Sequence, residues 1–319
     1  MDGIVRTVLG DIKSDLLGVC QCHEHLFLEM DKSYEVSPAL YMDNLKKSTE
    51  ELKSYREAGG NLVADAQPVY AGRMAEYLIR ASADSGIHIV ASTGFHKTIF
   101  YYSDAYIYSR NEQYITDLYI SEINKGMVSS KKDGHHLLNA RAGTIKTAVD
   151  AGGIFADANY EKLFSSASQA ALDTGVPILC HIEQGADALA VINYFAKKGI
   201  APQRLLLCHL DRAKYDPEYH KEVLKAGVYL EYDTINREKY LSNRQEIALI
   251  CSMIEAGFED QLLLSLDTTN QRLRAYGAEM GLDYILREFV PRLREAGVSD
   301  ESIQKMQSLN AREALKIKN

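Results

Sequence analysis

Thr174-Gly175-Val176-Pro177-Ile178-Leu179-Cys180-His181 carries a polar, helix-compatible stretch through a glycine into a short apolar run that finishes in a histidine. The glycine suits the left-handed position that closes a helix, and the run after it has the length of a buried strand. The same unit recurs along the chain. Gly59-Gly60 leads into 61–65, Gly86 into 87–92, Gly199 into 205–209, Gly227 into 228–233 and Gly257 into 262–267. Helix-to-strand repetition is the mark of βα units. Adding the first apolar run, 19–26, and the segment 141–146 gives eight strands, beginning near residues 19, 61, 88, 142, 177, 205, 228 and 262. The spacings leave room for crossover helices in parallel connections. The expected fold is α/β, a (β/α)8 TIM barrel spanning 1–319 as a single domain. An open doubly wound sheet is the other topology considered, but no glycine-rich dinucleotide loop follows any strand.

Bulk properties agree with a soluble globular enzyme. Hydrophobic residues make up 46% and charged residues 25% of the 319, which excludes disordered and fibrous classes. No apolar run reaches the ~18 residues of a membrane span, and the N-terminus lacks a signal-peptide pattern. A cytoplasmic location is expected. Five cysteines without CxxC spacing suit reduced thiols. A net charge of −8 disfavours nucleic acid and anionic membranes as partners, while leaving room for a local basic pocket.

The strand ends carry the chemistry-bearing residues. His23 and His25 alternate along the first run, so pleat geometry turns both imidazoles to one face, where they can chelate an ion. Strands five and six end in His181 and His209, and strand eight ends in Asp267. In a (β/α)8 barrel these C-terminal strand ends converge on the active site. Cys22, Cys180 and Cys208 each precede a ligand histidine by one residue, so parity assigns them to the opposite face as packing residues. His88 begins a strand and is read as structural. His135, His136 and His220 lie in polar surroundings and are read as surface residues, and Glu24 as a support outside the barrel interior.

In this order, with Lys146 on strand four, the residues resemble the amidohydrolase superfamily and, within it, the phosphotriesterase-like family. The likeness spans nearly the whole chain. Its most specific stretches are Cys22-His23-Glu24-His25-Leu26, Ala142-Gly143-Thr144-Ile145-Lys146, Cys208-His209-Leu210-Asp211 and Ser265-Leu266-Asp267. The resemblance implies a metal-dependent hydrolase with two divalent ions, zinc first, with manganese or cobalt as substitutes. His23, His25 and Asp267 would hold one ion, and His181 and His209 the other. Lys146 would bridge them as a carbamate, because a lysine ammonium has no lone pair whereas its carbamate is an anionic oxygen ligand. Such a centre turns a bridging water into hydroxide that attacks an electrophilic carbonyl, with Asp267 as catalytic proton shuttle.

The loops must supply the substrate. Arg237, Lys239 and Arg244 follow strand seven, and Gln271, Arg272, Arg274, Tyr276 and Gly277 follow strand eight, the usual phosphate-binding position of this barrel. Guanidinium forks bind phosphate bidentately, and Arg274-Ala275-Tyr276-Gly277 is the sharpest candidate. The stretch Arg272 to Gly277 looks like the phosphorylated sugar lactonase branch (phosphofuranose lactonases) of the family. The expectation is therefore lactone hydrolysis, on an aldono-1,4-lactone 5-phosphate. His96, beside Lys97, departs from the family pattern by standing where many relatives have a tyrosine that helps hold the carbonyl oxygen. A phosphotriesterase or an ester or amide hydrolase with the same centre is the alternative, and a noncatalytic binding barrel comes last because all six ligands are present. An insertion at about 97–141, between strands three and four, is rich in tyrosine. A lid that brings Tyr101 or Tyr102 to the pocket, a homodimer surface, and an aromatic helix packed on the barrel exterior are the readings it leaves open.

Overall fold

Strands appear where the apolar runs predict them. The computed structural model, which describes residues 3–130 and 136–318, opens with a hairpin of β1 (Ile4–Thr7) and β2 (Gly10–Lys13). Eight strands then form a parallel sheet in sequence order: β3 (Val19–Glu24), β4 (Gly60–Asp65), β5 (His88–Gly94), β6 (Thr144–Val149), β7 (Ile178–Ile182), β8 (Leu205–Cys208), β9 (Tyr229–Tyr232) and β10 (Leu262–Leu264). The last strand returns to the first. Asp267 N donates to His23 O at 3.1 Å, and Ser265 Oγ accepts the backbone N–H groups of Cys22 and His23. This closes a (β/α)8 barrel, and the closing seam runs between three of the predicted ligands.

Crossover helices α1 (Leu45–Glu57), α2 (Ala75–Ser85), α3 (Glu112–Asn124), α4 (Ala158–Thr174), α5 (Ala188–Lys197), α6 (Pro217–Lys225), α7 (Asn243–Glu255) and α8 (Val290–Glu295) surround it. The closing glycines behave as the sequence predicts. Gly86 (φ 73°) and Gly175 (φ 71°) are left-handed, and their N–H groups return to Ser82 O and Ala171 O. At Gly175 a Cβ would also lie 2.5 Å from Lys318 O.

Alternation along the strands divides the apolar residues between two cores. Leu62, Val90, Leu179, Leu206 and Leu263 fill the barrel interior with Val5 and Leu17, which the hairpin and its following turn press into the lower end. Val63, Ile89, Ile145, Ile178 and Leu205 face the helices. The parity argument for the cysteines holds for Cys180, which packs outward. It fails for Cys22 and Cys208, which pack inside. A register shift between Gln21 and Glu24, and a left-handed His209 (φ 69°), let successive residues face the interior.

His220 is buried, not a surface residue. It lies on the inward face of α6 with Val223 and Leu224, and its ring bonds Tyr232 Oη (2.9 Å) and Lys214 O (2.8 Å). His136 is exposed, and His135 lies outside the described residues. The tyrosine-rich segment between β5 and β6 is clamped by a buried ion pair, Arg73 Nη2 to Glu122 Oε1 at 2.6 Å. Tyr119 on α3 is buried while Tyr102, Tyr108 and Tyr114 are exposed. Among the described residues no helix is long and apolar enough to cross a membrane.

Candidate metal centre

The six predicted ligands meet at the C-terminal mouth of the barrel. His23 and Lys146 are fully buried, with Lys146 Nζ 3.2 Å from His23 Nε2. Asp267 Oδ1 lies 3.7 Å from His23 Nε2 and 3.3 Å from His25 Nε2. The ring of His209 stands 4.6 Å from that of His23 and 4.4 Å from that of His181. Ligand atoms of His23, His209 and Asp267 all fall within 4.8 Å of one another. Two of these residues hold strained backbone. His209 and Asp267 (φ 48°) are left-handed without being glycine, a conformation the chain sustains where it aims a side chain.

A layer of carboxylates that the sequence reading missed orients this set. Asp233 Oδ1 sits 2.6 Å from His209 Nδ1, and Asp233 Oδ2 lies 3.3 Å from His23 Nδ1. That contact occupies Nδ1 of His209 and leaves Nε2 to face the site, the usual arrangement behind a ligating imidazole. Glu231 accepts from Ser265 Oγ at 2.8 Å and approaches His23 Nδ1 to 3.8 Å. Strand parity places Glu231 and Asp233 on one face of β9 and its extension, so the alternation Tyr229, Glu231, Asp233 was the available signal. Glu24, on the seam, accepts the N–H groups of Leu266 (2.8 Å) and Thr268 (3.0 Å), and burial pushes its carboxyl up to about 8.

Burial also holds three of the histidines, His23, His209 and His181, in the neutral form that binds metal. His23 and His209 are driven well below the ordinary imidazole range, first by desolvation, and His181 falls to about 3. His25 Nδ1 is buried without a hydrogen-bond partner, and His23 Nδ1 and Asp233 Oδ2 face each other at 3.3 Å without the alignment of a hydrogen bond. A buried lysine amine against an imidazole nitrogen completes a donor set that an ion would satisfy and the polypeptide alone does not. Neutral imidazoles with carboxylate oxygen suit a divalent ion such as zinc.

Above the centre opens a cavity of about 500 Å³. His25, His181, His209 and Asp267 form its floor, and Lys97, Arg212, Arg237, Lys239 and Arg272 surround it. Arg237 Nη1 lies 3.1 Å from Asp267 Oδ2, with Arg212 Nη1 at 3.5 Å. These guanidinium groups and the neighbouring imidazoles hold Asp267 well below the usual carboxylate range despite its burial. Arg272 is pinned by the carbonyls of Ile235 (2.6 Å) and Asn236 (3.1 Å). His96 also lines the cavity, wedged against Phe100 at 4.4 Å and His181 at 5.3 Å between ring centroids. Lys97 N donates to His96 Nδ1 at 2.7 Å, so the proton of the neutral ring belongs on Nε2. Lys97 Nζ itself bonds Glu183, whose Oε2 lies 3.4 Å from His181 Nε2.

Two of the expected substrate contacts are elsewhere. Arg274 does not line the cavity; its guanidinium is half exposed and bonds Asp283 Oδ1 at 3.3 Å. Tyr276 Oη meets Ser48 Oγ at 2.8 Å and Asn44 O at 3.2 Å. The 3-10 turn Arg274–Tyr276 is held down on α1, where Glu51 accepts Ala275 N, and this draws both side chains away from the mouth. Arg244 and Gly277 also lie outside the lining, whereas Gln271 is part of it. Neither Tyr101 nor Tyr102 lines it; Tyr101 Oη accepts His96 N at 3.0 Å and acts from behind. Arg212 and Glu183, which the sequence reading passed over, do line it. Arg212 stands three residues past His209, where a helical turn returns it to the same mouth.

The model of the phosphotriesterase family matches residues 3–315. The chain is 30% identical to a phospho-furanose lactonase of Mycoplasmopsis synoviae (strain 53), over 93% of this chain and 87% of that protein. Among solved structures it resembles an amidohydrolase from Mycoplasma synoviae, with 29% identity and a TM-score of 0.94, covering 100% of this chain and 93% of that one. A lactonase from Listeria monocytogenes is similar at 27% identity and a TM-score of 0.90, covering 99% and 100%.

Proposed function

We propose, from the premise that this chain is a hydrolase of the phosphotriesterase family, that it opens a phosphorylated sugar lactone, an aldono-1,4-lactone 5-phosphate. One observation carries the reading: five cationic side chains, against the three carboxylates of Glu183, Glu238 and Asp267, line the same cavity as four of the six candidate ligands, in a chain of net charge −8. Anionic substrate is drawn there by field and by fork geometry together. The phospho-furanose lactonase among its relatives supports the same class.

His23, His25, Asp267, His181 and His209 would hold two divalent ions, with Lys146 joining them as a carbamate. When bound, such a pair supplies Lewis acidity and a water of lowered pKa. Asp267 turns Oδ1 toward His23 and His25 and Oδ2 toward Arg212 and Arg237. It accepts the proton of the attacking water and returns it to the ring oxygen as the lactone opens. His96 donates from Nε2 to the carbonyl oxygen, its tautomer set by Lys97 N. Arg237, Lys239 and Arg212 receive the phosphate, with Arg272 pinned as a fixed positive charge beneath them. The phosphate is a handle and is not cleaved.

The test is proton release on a panel of 1,4-lactones, each with and without a 5-phosphate, using protein reconstituted with zinc or manganese and bicarbonate. Turnover confined to the phosphorylated members is expected. Equal turnover of both series, or turnover of phosphotriesters or amides alone, overturns the assignment.

A further inference from the structure

Beside the metal cavity, and sharing Phe100 with it as a wall, lies a second cavity of about 700 Å³ of opposite character. Where the first is ringed by basic groups, this one is lined by Tyr70, Tyr101, Tyr102, Tyr106 and Tyr114 together with Asp31 and Asp104. We propose that it binds an organic ammonium group, a methylated or quaternary amine, between tyrosine faces and these carboxylates.

Ring geometry is the first support. Tyr70 and Tyr106 stand 5.4 Å apart at 59°, and Tyr101 and Tyr106 6.0 Å apart at 78°. These inclined rings pack on one another as a continuous aromatic wall of the cavity. A tyrosine face is electron-rich, and a poorly hydrated cation gains from it without the dehydration cost that a small metal ion would meet. The protein's own cations already rest on three other rings of the lining, Tyr102, Tyr114 and Phe100. Lys32 Nζ lies 5.3 Å from the Tyr102 centroid, the Arg110 guanidinium 4.8 Å from that of Tyr114, and Lys97 Nζ 5.8 Å from that of Phe100. Tyr70 is the third support. It is left-handed (φ 57°) although bulky, the kind of backbone strain that collects at ligand sites. Among the described residues that line the cavity, Arg110, resting on Tyr114, is the one basic side chain against the carboxylates of Asp31 and Asp104.

The test is a calorimetric titration of the full chain with choline and with its neutral carbon isostere, in which a tert-butyl group replaces trimethylammonium. Choline is expected to bind saturably and about tenfold more tightly than the isostere. Tyr114→Leu and Asp104→Asn, both remote from the metal centre, should each weaken choline severalfold while leaving lactone turnover unchanged. Equal affinity for the two ligands, no saturable choline binding, or choline binding indifferent to both substitutions overturns the proposal. So does sedimentation showing a dimer that Tyr102→Asp and Tyr114→Asp convert to monomer, since a second copy would then cover this face. None of the overturning outcomes depends on lactone chemistry.

Discussion

The two halves of the barrel interior are built on opposite principles. The lower half, around Leu62, Val90, Leu179, Leu206 and Leu263 and sealed by Val5 and Leu17, is apolar and closed. The upper half gathers His23, Lys146, His209, Glu231 and Asp233, all buried, and leaves several polar atoms without partners. Unpaired buried polar groups cost stability. The lower half supplies what the upper half spends, and the upper half recovers it only when an ion completes its donor set. Substitutions should therefore separate cleanly, with stability effects below and chemical effects above.

The sharpest break is expected above. Asp267→Asn should lower kcat by about a hundred- to ten-thousand-fold with the fold retained by circular dichroism; a small loss of kcat removes Asp267 from proton transfer. Below, Leu206→Ala should cost about 2–5 kcal/mol in urea unfolding, with turnover per folded molecule unchanged. Asp233→Asn tests the carboxylate behind His209, and should weaken metal binding about 10- to 100-fold in a competition titration. Undiminished affinity would make Asp233 a packing residue only.

At the rim, Arg237→Gln should raise KM for a phosphorylated lactone by at least about tenfold. Arg274→Gln, which loses a contact to Asp283, should change phosphorylated and unphosphorylated substrates alike. A further effect is on pH. In metal-free protein His181 has a folded pKa of about 3, pressed down by burial from 6.5, so between those values the unfolded chain binds the extra proton. Stability should fall as pH drops from about 6.5 toward 3, followed by thermal unfolding. His23 and His209, lowered by the same burial, steepen the fall, and a flat profile would mean that these imidazoles are not held neutral by the fold.

The convergence of the candidate ligands was legible because a barrel forces strand ends together, so one residue at each end fixes its place. Loop residues carry no such constraint. Arg274 lies close to Asp267 in sequence, yet Glu51 and Asp283 hold its turn against α1. Arg212 reached the mouth through a short helix after His209. Parity failed at Cys22 and Cys208 because a bulge and a left-handed residue cannot be read from alternation alone. His220 was misplaced because its helix is polar around it, and only the inward spacing with Val223 and Leu224 marks it as buried. The hairpin β1–β2 lies ahead of the repeat and was invisible to it.

In the proposed centre, Lys146 is the point on which both the pair of metal ions and the hydrolysis turn. The most direct measurement loads the protein with zinc and ¹³C-labelled bicarbonate, then reads the carbamate carbon by NMR and the metal content of the same sample. One bound carbamate signal with two ions per chain, both lost in Lys146→Ala, is the predicted result. Two ions retained without the signal, or in the Lys146→Ala protein, would contradict it.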